Sequence, residues 1–530
     1  MSAATARAAG RSDGTEARLV AGLGGAPDDV DVVVIGLGIT GAGVALDAAT
    51  RGLSVLAVDA HDVAFGTSRW SSKLVHGGLR YLANGQLGVA HESALERGVL
   101  MEVTAPHLTR AMPYVVPLTA DAPWINRTLT RVGLRAGDLL RRGARTSADT
   151  LPPPRRLSAT EALRLAPVLR RSGLRGALLS WDGQLEDDAR LVLAVARTAA
   201  AHGAAVHTRA RVLGIAGAPG RHEVRLRDEL TGTEHVVRAR AVVNAAGVWA
   251  GDLAPDIALR PSRGTHLVLR AEALPGLGAA VFAPVPGSTS RFVMVLPQPD
   301  GTHYVGLTDE PVTGPVPDVP EPTEPEIGFL LDVVSATVDR PLRRSDVVGA
   351  FAGLRPLLDG ADGSTADLSR RHAVVTGPTG VTTVVGGKLT TYRRMAQDTV
   401  DAVLAARPEL AARATGPCMT ASLPLLGAAS REELARSEQP ARLVRRYGTE
   451  AALVLATARA TTGLDDDALL APIAEGVPTC LAELVFGVTH EGAADVADLL
   501  ERRTRIALVP ADADLARPAA LQALAAVGRR

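Results

Sequence analysis

The sequence predicts an α/β chain in three parts: a nucleotide-binding domain interrupted along the chain, an antiparallel sheet inserted into it, and a helical C-terminal domain. Three observations predict this. A glycine-rich turn joins an early strand to a helix, two further strand-to-glycine junctions lie far downstream, and the pattern turns helical from about Pro408. A chain of 530 residues exceeds one compact domain and suggests about three. Its 46% hydrophobic and 22% charged residues exclude a disordered chain or a coiled coil. With 57 basic against 57 acidic residues, no global field recruits nucleic acid. Two cysteines, Cys418 and Cys480, exclude a disulfide framework and a cysteine metal cluster. The histidines are scattered, and His76 with His91 is not a helical ligand pair, so no metal site is expected.

Residues 1–28, rich in Ala, Gly, Arg and Asp, read as a disordered tail without the apolar core of a signal peptide. No window approaches the roughly 18 apolar residues of a membrane span. The expectation is a cytoplasmic protein whose membrane contact, if any, is peripheral, on the inner face of the cytoplasmic membrane.

The first ordered element is the β-branched run after Asp31, a buried parallel strand through Ile35. It enters Gly36-Leu37-Gly38-Ile39-Thr40-Gly41 and an Ala-rich helix through Arg51, then a second strand, Leu53 to Val58, that ends on Asp59. Strand, glycines at the turn, helix, strand and acid stand in the order of a dinucleotide-binding βαβ unit. Gly36, Gly38 and Gly41 let the backbone approach a pyrophosphate at the positive end of a helix, and Asp59 accepts from ribose hydroxyls. Ala241 to Val243 runs into Asn244-Ala245-Ala246-Gly247. Val381 to Val385 runs into Gly386-Gly387-Lys388 and a helix from Leu389 to about Ala406. A Rossmann-type domain that returns so late is discontinuous, and that arrangement suggests FAD. The expected boundaries are 29–110, 176–257 and 346–407 for the FAD-binding domain, 111–175 and 258–345 for the substrate domain, and 408–530 for the helical domain. Short extended runs such as His266 to Leu269, Phe292 to Leu296 and Tyr304 to Leu307 predict the antiparallel sheet. Glu432 to Arg446 and Ala493 to Arg503 predict C-terminal helices.

The string Gly66-Thr67-Ser68-Arg69-Trp70-Ser71-Ser72-Lys73-Leu74-Val75-His76-Gly77-Gly78-Leu79-Arg80-Tyr81-Leu82 resembles the flavin loop of the aerobic, FAD-dependent glycerol-3-phosphate dehydrogenases. Trp181-Asp182-Gly183-Gln184, Asp188-Ala189-Arg190-Leu191, Ser262-Arg263-Gly264-Thr265-His266, Gly353-Leu354-Arg355-Pro356-Leu357, Ser369-Arg370 and Gly386-Gly387-Lys388-Leu389-Thr390-Thr391-Tyr392-Arg393 continue the resemblance in order. It implies oxidation of sn-glycerol 3-phosphate to dihydroxyacetone phosphate by hydride transfer to FAD, with electrons passed to a membrane quinone. A homodimer is an open expectation.

The resemblance implies these site residues. Thr67, Ser68, Ser72, Lys73, His76, Gly77, Ala246, Gly247, Gly386, Gly387, Lys388, Leu389 and Thr390 join the fingerprint residues around FAD. Arg80, Tyr81, Arg355 and Arg370 bind a substrate whose phosphate dianion needs cations. His266 is the candidate base, since imidazole is poised near neutral pH, with Arg355 and Lys388 completing the catalytic set. Composition supports the lysines: Lys73 and Lys388 are the whole chain's two, against 55 arginines, and both fall in flavin motifs. An ammonium near the flavin pyrimidine edge favours hydride acceptance.

The segment 124–145 carries Ile125, Leu129, Val132, Ala136 and Leu139 on one helical stripe and Arg127, Arg131, Arg135 and Arg142 opposite. That pattern fits a membrane-surface helix or an ordinary helix packed on the core. Three other readings compete. An oxidase of the same substrate would consume oxygen and form hydrogen peroxide. An oxidase of amines or amino acids would not need the cation cluster, and a non-enzymatic FAD sensor would need neither His266 nor the cations.

Overall fold

The computed structural model describes residues 17–78, 87–120, 135–288, 291–358 and 372–529. Among them the α/β fold class holds, with two large sheets and a helical C-terminal domain. The nucleotide sheet is built on β2 (Asp29–Ile35), flanked by β3 (Val55–Val58) and β11 (Glu234–Asn244) in parallel. Beyond β3 lie β8 (Ala205–Thr208) and β1 (Val20–Ala21), also parallel. The end of β11 pairs in parallel with β19 (Thr382–Gly386), which carries β18 (His372–Thr376) antiparallel. β9 (Ala210–Ala218) and β10 (Arg221–Asp228) close the other edge. Helices α1 (Ile39–Thr50), α3 (Asp188–Ala201) and α5 (Tyr392–Ala406) pack on one another over this sheet. Val32, Val34, Ala42, Val44 and Val192 are buried between them. The near-continuous valines of β2 reflect burial on both faces.

Among the described residues the second sheet has ten strands, mostly antiparallel. Its order runs β16 (Glu310–Pro311), β12 (Ser262–Arg270), β15 (Thr302–Gly306), β14 (Phe292–Pro297), β13 (Ala280–Pro284), β5 (Thr109–Thr119), β7 (Leu174–Leu185) and β4 (Leu74–Val75). β17 (Val347–Arg355) pairs with β12, and β6 (Arg155–Leu157) with β7. Helix α4 (Glu324–Ser335) packs on this sheet through Ile327, Leu330 and Val334.

The expected boundaries move in three places. Residues 176–185 and 347–355, assigned to the FAD domain, lie in β7 and β17 of the second sheet. Leu74–Val75 joins that sheet as β4, antiparallel to β7. A buried strand reads alike in either sheet, and pairing with residues far along the chain decides which one it joins. Residues 17–28, expected within the tail, carry structure of their own. β1 extends the nucleotide sheet, and the Leu19 N–H donates to His490 O at 3.1 Å.

The C-terminal domain packs α7 (Ala451–Thr462), α8 (Leu481–Thr489) and α9 (Pro510–Ala526) around Val454, Leu484, Phe486 and Ala520. The expected helix over 432–446 is two, because Pro440 cannot continue a helix; the second is α6 (Ala441–Tyr447). The other expected helix begins only at about Val496 and widens to π-type turns over Asp498–Arg503. Buried ion pairs fix this domain to the nucleotide half: Arg503 and Arg502 both meet Asp62 at 2.6 Å, and Arg446 meets Asp187 at 3.3 Å.

Candidate active site

A cavity of about 1110 Å³ lies where the two sheets meet. It exceeds the roughly 300–1,000 Å³ of a pocket for one small ligand, as a dinucleotide plus a second small molecule requires. At one end Gly36, Gly38, Ile39, Thr40, Asp59, Ser68, Ala246 and Gly247 line it. Gly36 sits at φ +99°, and a Cβ there would lie 2.6 Å from Ala245 O. A Cβ at Gly41 would lie 1.8 Å from Gly36 O, so Gly41 shapes the turn from behind rather than lining the cavity. Helix α1 begins at Gly38 without a side-chain cap of its own, which leaves its positive end at the cavity. The Ser68 hydroxyl accepts from the Ile39 N–H at 2.9 Å and draws the 66–72 loop onto this end.

Asp59 accepts from the Leu37 N–H at 2.7 Å and the His61 N–H at 2.8 Å. Burial pushes its carboxyl up to about 6 against those two N–H groups. An acid held beside a glycine cradle at a helix N-terminus fits the ribose and pyrophosphate of FAD.

At the other end the cavity is lined by Thr67, Ser72, His76, Gly264, His266, Asp309, Arg355, Gly386, Gly387, Lys388, Leu389 and Thr390. Gly386 and Gly387 at φ +79° and +71° turn β19 into the helix that follows, and Lys388 stands at the turn. Its Nζ donates to Ser93 Oγ at 2.7 Å, on α2 (Leu87–Val99). Thr67 donates to Leu354 O at 2.6 Å, and the His76 N–H donates to Thr390 Oγ1 at 3.2 Å, so both flavin motifs meet here.

His266 lies flat against Phe351 with ring centroids 4.8 Å apart, its Nε2 is 2.8 Å from Ser72 Oγ, and its buried Nδ1 has no hydrogen-bond partner among the described residues. Burial, then the charges of Lys73 and Arg355, push its pKa well below that of ordinary histidine. The expectation of an imidazole poised near neutrality changes: burial favours the neutral form of this ring. Arg355 donates from Nη1 to Asp309 at 3.1 Å and Ser262 at 3.2 Å, and from Nη2 to Thr308 O at 3.2 Å.

Two other expectations change. Lys73 does not reach the cavity. Its Nζ is held by Asp188 at 2.9 Å and Arg69 O at 2.6 Å over the Phe351 ring, and its side chain is 1% exposed. Burial lowers its pKa against the pull of Asp188. Gly77 does not line the cavity either; a Cβ there would meet the Arg97 guanidinium at 2.1 Å. Arg80, Tyr81 and Arg370 lie outside the described residues. So does the first half of the amphipathic segment; residues 135–143 are helical, with Leu139 67% exposed and Ala136 lining the cavity.

Sequence reasoning assigned no role to Asp182 or Asp309. Asp182 joins His76 Nδ1 at 2.9 Å and Arg97 Nη1 at 2.6 Å. Burial raises its pKa, but Arg97 and His76 outweigh that and hold it below the ordinary value. Its signal was the Trp181-Asp182-Gly183-Gln184 motif itself. Asp309, an acid just beyond β15, carried a weaker one.

Comparison with known proteins fits this geometry. Residues 31–393 match the family model described as FAD dependent oxidoreductase, and residues 418–528 match the C-terminal domain of alpha-glycerophosphate oxidase. The chain is 52% identical over 490 residues to glycerol-3-phosphate dehydrogenase 1 of Mycobacterium tuberculosis, covering 91% of this chain and 92% of that one. It is 37% identical over 528 residues to the mitochondrial glycerol-3-phosphate dehydrogenase SDP6 of Arabidopsis thaliana, covering 92% and 81%. Among solved structures, the Bacillus halodurans glycerol-3-phosphate dehydrogenase complexed with FAD superposes with a TM-score of 0.71 at 27% identity, over 95% of this chain and 91% of that one. The glycine cradle, the two flavin motifs and these relatives converge: the chain belongs to the FAD-dependent oxidoreductases and, within them, to the glycerol-3-phosphate dehydrogenases.

Proposed function

We propose that the protein oxidises the secondary hydroxyl of sn-glycerol 3-phosphate to give dihydroxyacetone phosphate, at the end of the cavity where His266, Arg355 and Lys388 meet. Bound FAD supplies the two-electron acceptor for the hydride from carbon 2 and the route onward to a membrane quinone. The observation that carries the reading is one cavity holding both a dinucleotide cradle and a separate set of imidazole, guanidinium and ammonium groups. Binding FAD alone requires none of that set.

The chain's own groups divide the work. Gly36, Gly38, Asp59, Ser68, Ala246 and Gly247 hold the nucleotide, and Gly386 to Thr390 the flavin end. His266, neutral by burial, accepts the hydroxyl proton as the C2–H bond breaks. Arg355 offers guanidinium donors to the two substrate hydroxyls, the terminal one and the one on which negative charge develops. Lys388 supplies a compact positive charge, its ammonium oriented by the Ser93 hydroxyl. By resemblance, Arg80, Tyr81 and Arg370 add phosphate and hydroxyl contacts.

No helix among the described residues is long and apolar enough to cross a membrane. We place the enzyme at the cytoplasmic membrane surface, with the segment around exposed Leu139 as its contact. The test is anaerobic addition of sn-glycerol 3-phosphate to the purified flavoprotein. Bleaching of the flavin's visible absorbance, reversed by a soluble quinone, supports the reading. Fast reoxidation by oxygen with stoichiometric peroxide would make it an oxidase, and no bleaching would refute the substrate.

A further inference from the structure

We propose that Asp309 selects the substrate by charge, admitting a neutral hydroxyl beside Arg355 and excluding a carboxylate from that position. The inference rests on the reading of this cavity as the site of sn-glycerol 3-phosphate. Asp309 and Arg355 both line the cavity, with side chains 7% and 21% exposed. Arg355 Nη1 donates to Asp309 Oδ1 at 3.1 Å, and the Ser262 hydroxyl donates to the same oxygen in a short bond. Ser262 also accepts from Arg355 at 3.2 Å, directly across the β12–β17 register. Carboxylate, hydroxyl and guanidinium thus form a closed triangle in the wall.

Its position is fixed from behind. Thr308 Oγ1 donates to the buried Glu326 at 2.8 Å and accepts from the Thr265 N–H at 3.0 Å, while the Thr308 carbonyl holds Arg355 Nη2. Glu326 is in turn tied to Thr265, Thr323 and Arg263. The strand exit that carries Asp309 is therefore pinned to α4 and to β12.

An arginine in a cavity attracts carboxylates above all, because its planar fork matches two oxygens. Here an aspartate of the chain already takes that role. The pair brings no net charge to the wall, and a second carboxylate placed against Arg355 would meet Asp309 in a partly desolvated setting where repulsion is strong. A hydroxyl meets no such penalty: it can accept from a guanidinium and donate to a carboxylate. The wall thus favours a polyol end over an acid end of otherwise equal shape.

The probe is glycerate 3-phosphate of matching configuration at carbon 2, which keeps the phosphate and the hydroxyl and replaces the terminal hydroxymethyl group by carboxylate. Its dissociation constant is read from perturbation of the bound-flavin spectrum in wild-type holoenzyme, Asp309→Asn and Asp309→Glu. The KM for sn-glycerol 3-phosphate is read from turnover. We expect Asp309→Asn to bind the acid at least tenfold more tightly than wild type with no improvement in KM, and Asp309→Glu to keep the wild-type preference. Asp309→Ser serves as a second charge-removing variant should the first fail to fold. Unchanged or weaker binding of the acid, or an equal gain for both ligands, would overturn the proposal. Failure of the substrate reading itself would look different: sn-glycerol 3-phosphate would then bleach the flavin of no variant, wild type included.

Discussion

The two lysines of this chain sit in two flavin motifs, yet their surroundings differ in kind. The loop at 66–78 buries Lys73 completely, in an ion pair with Asp188 at the start of α3. The turn at 386–390 places Lys388 in the cavity wall, anchored through Ser93 on α2. Scarcity of lysine thus marks two different needs. At Lys73 a compact ammonium fills a closed site between a carboxylate, a backbone carbonyl and the Phe351 ring. At Lys388 a compact charge is wanted at an open face. One lysine braces the loop behind the cavity, and the other lines the cavity.

The comparison breaks most visibly at Lys73. Lys73→Met leaves the Asp188 carboxylate buried without its cation, at a cost of about 3–5 kcal/mol. Denaturant midpoints should fall accordingly, while the flavin of whatever protein folds keeps its reduction rate per bound FAD. A stable Lys73→Met enzyme with an altered flavin potential would instead return Lys73 to the cofactor. Lys388→Ala should do the reverse. Loss of a charge-assisted contact of roughly 1.5–3 kcal/mol lowers flavin reduction about ten- to a hundredfold with little change in the unfolding midpoint.

Asp59 tests the nucleotide end by pH. Its carboxyl is raised from 3.8 to about 6, so in FAD-free protein its contribution is fully present below 3.8 and is lost as pH rises through about 6. FAD ribose hydroxyls need the ionised form, so FAD affinity should fall by up to about tenfold per pH unit below 6 and level off above it. Equilibrium titration of the apoprotein with FAD measures this, and Asp59→Asn should flatten the curve. A pH-independent wild type would show that the ribose does not use this carboxylate. The smallest effect is expected at Ser93. Ser93→Ala removes one hydrogen bond of about 0.5–1.5 kcal/mol from Lys388 and should slow flavin reduction only a few-fold.

What could be read in the chain beforehand follows distance along it. The unit from Asp31 to Asp59 is local: valines, glycines and acid lie within one βαβ turn, and the structure keeps all of them together. Lys388 was legible for the same reason, since its two glycines precede it directly. Lys73 was misread because its partner Asp188 lies 115 residues away. β17 was put in the wrong sheet because only its pairing with β12 decides where it goes. The neutrality of His266 arises from Phe351, Gly306 and the charges of Lys73 and Arg355, none of them its neighbour in sequence. Asp309 was passed over because a carboxylate after a strand looks like any loop acid until Arg355 is seen against it.

On the proposed function, this one cavity carries both FAD and the substrate, with Lys388 as a point charge in its wall. Stopped-flow bleaching of the flavin by sn-glycerol 3-phosphate under anaerobic conditions tests it most directly, in wild type and in Lys388→Arg, each at measured FAD occupancy. Wild type should bleach rapidly and Lys388→Arg at a rate lower by about tenfold or more, at equal FAD content, because a planar guanidinium does not reproduce the ammonium at a crowded glycine turn. Wild-type rates in Lys388→Arg would contradict the role given to Lys388, and a wild-type flavin untouched by sn-glycerol 3-phosphate would contradict the claim altogether.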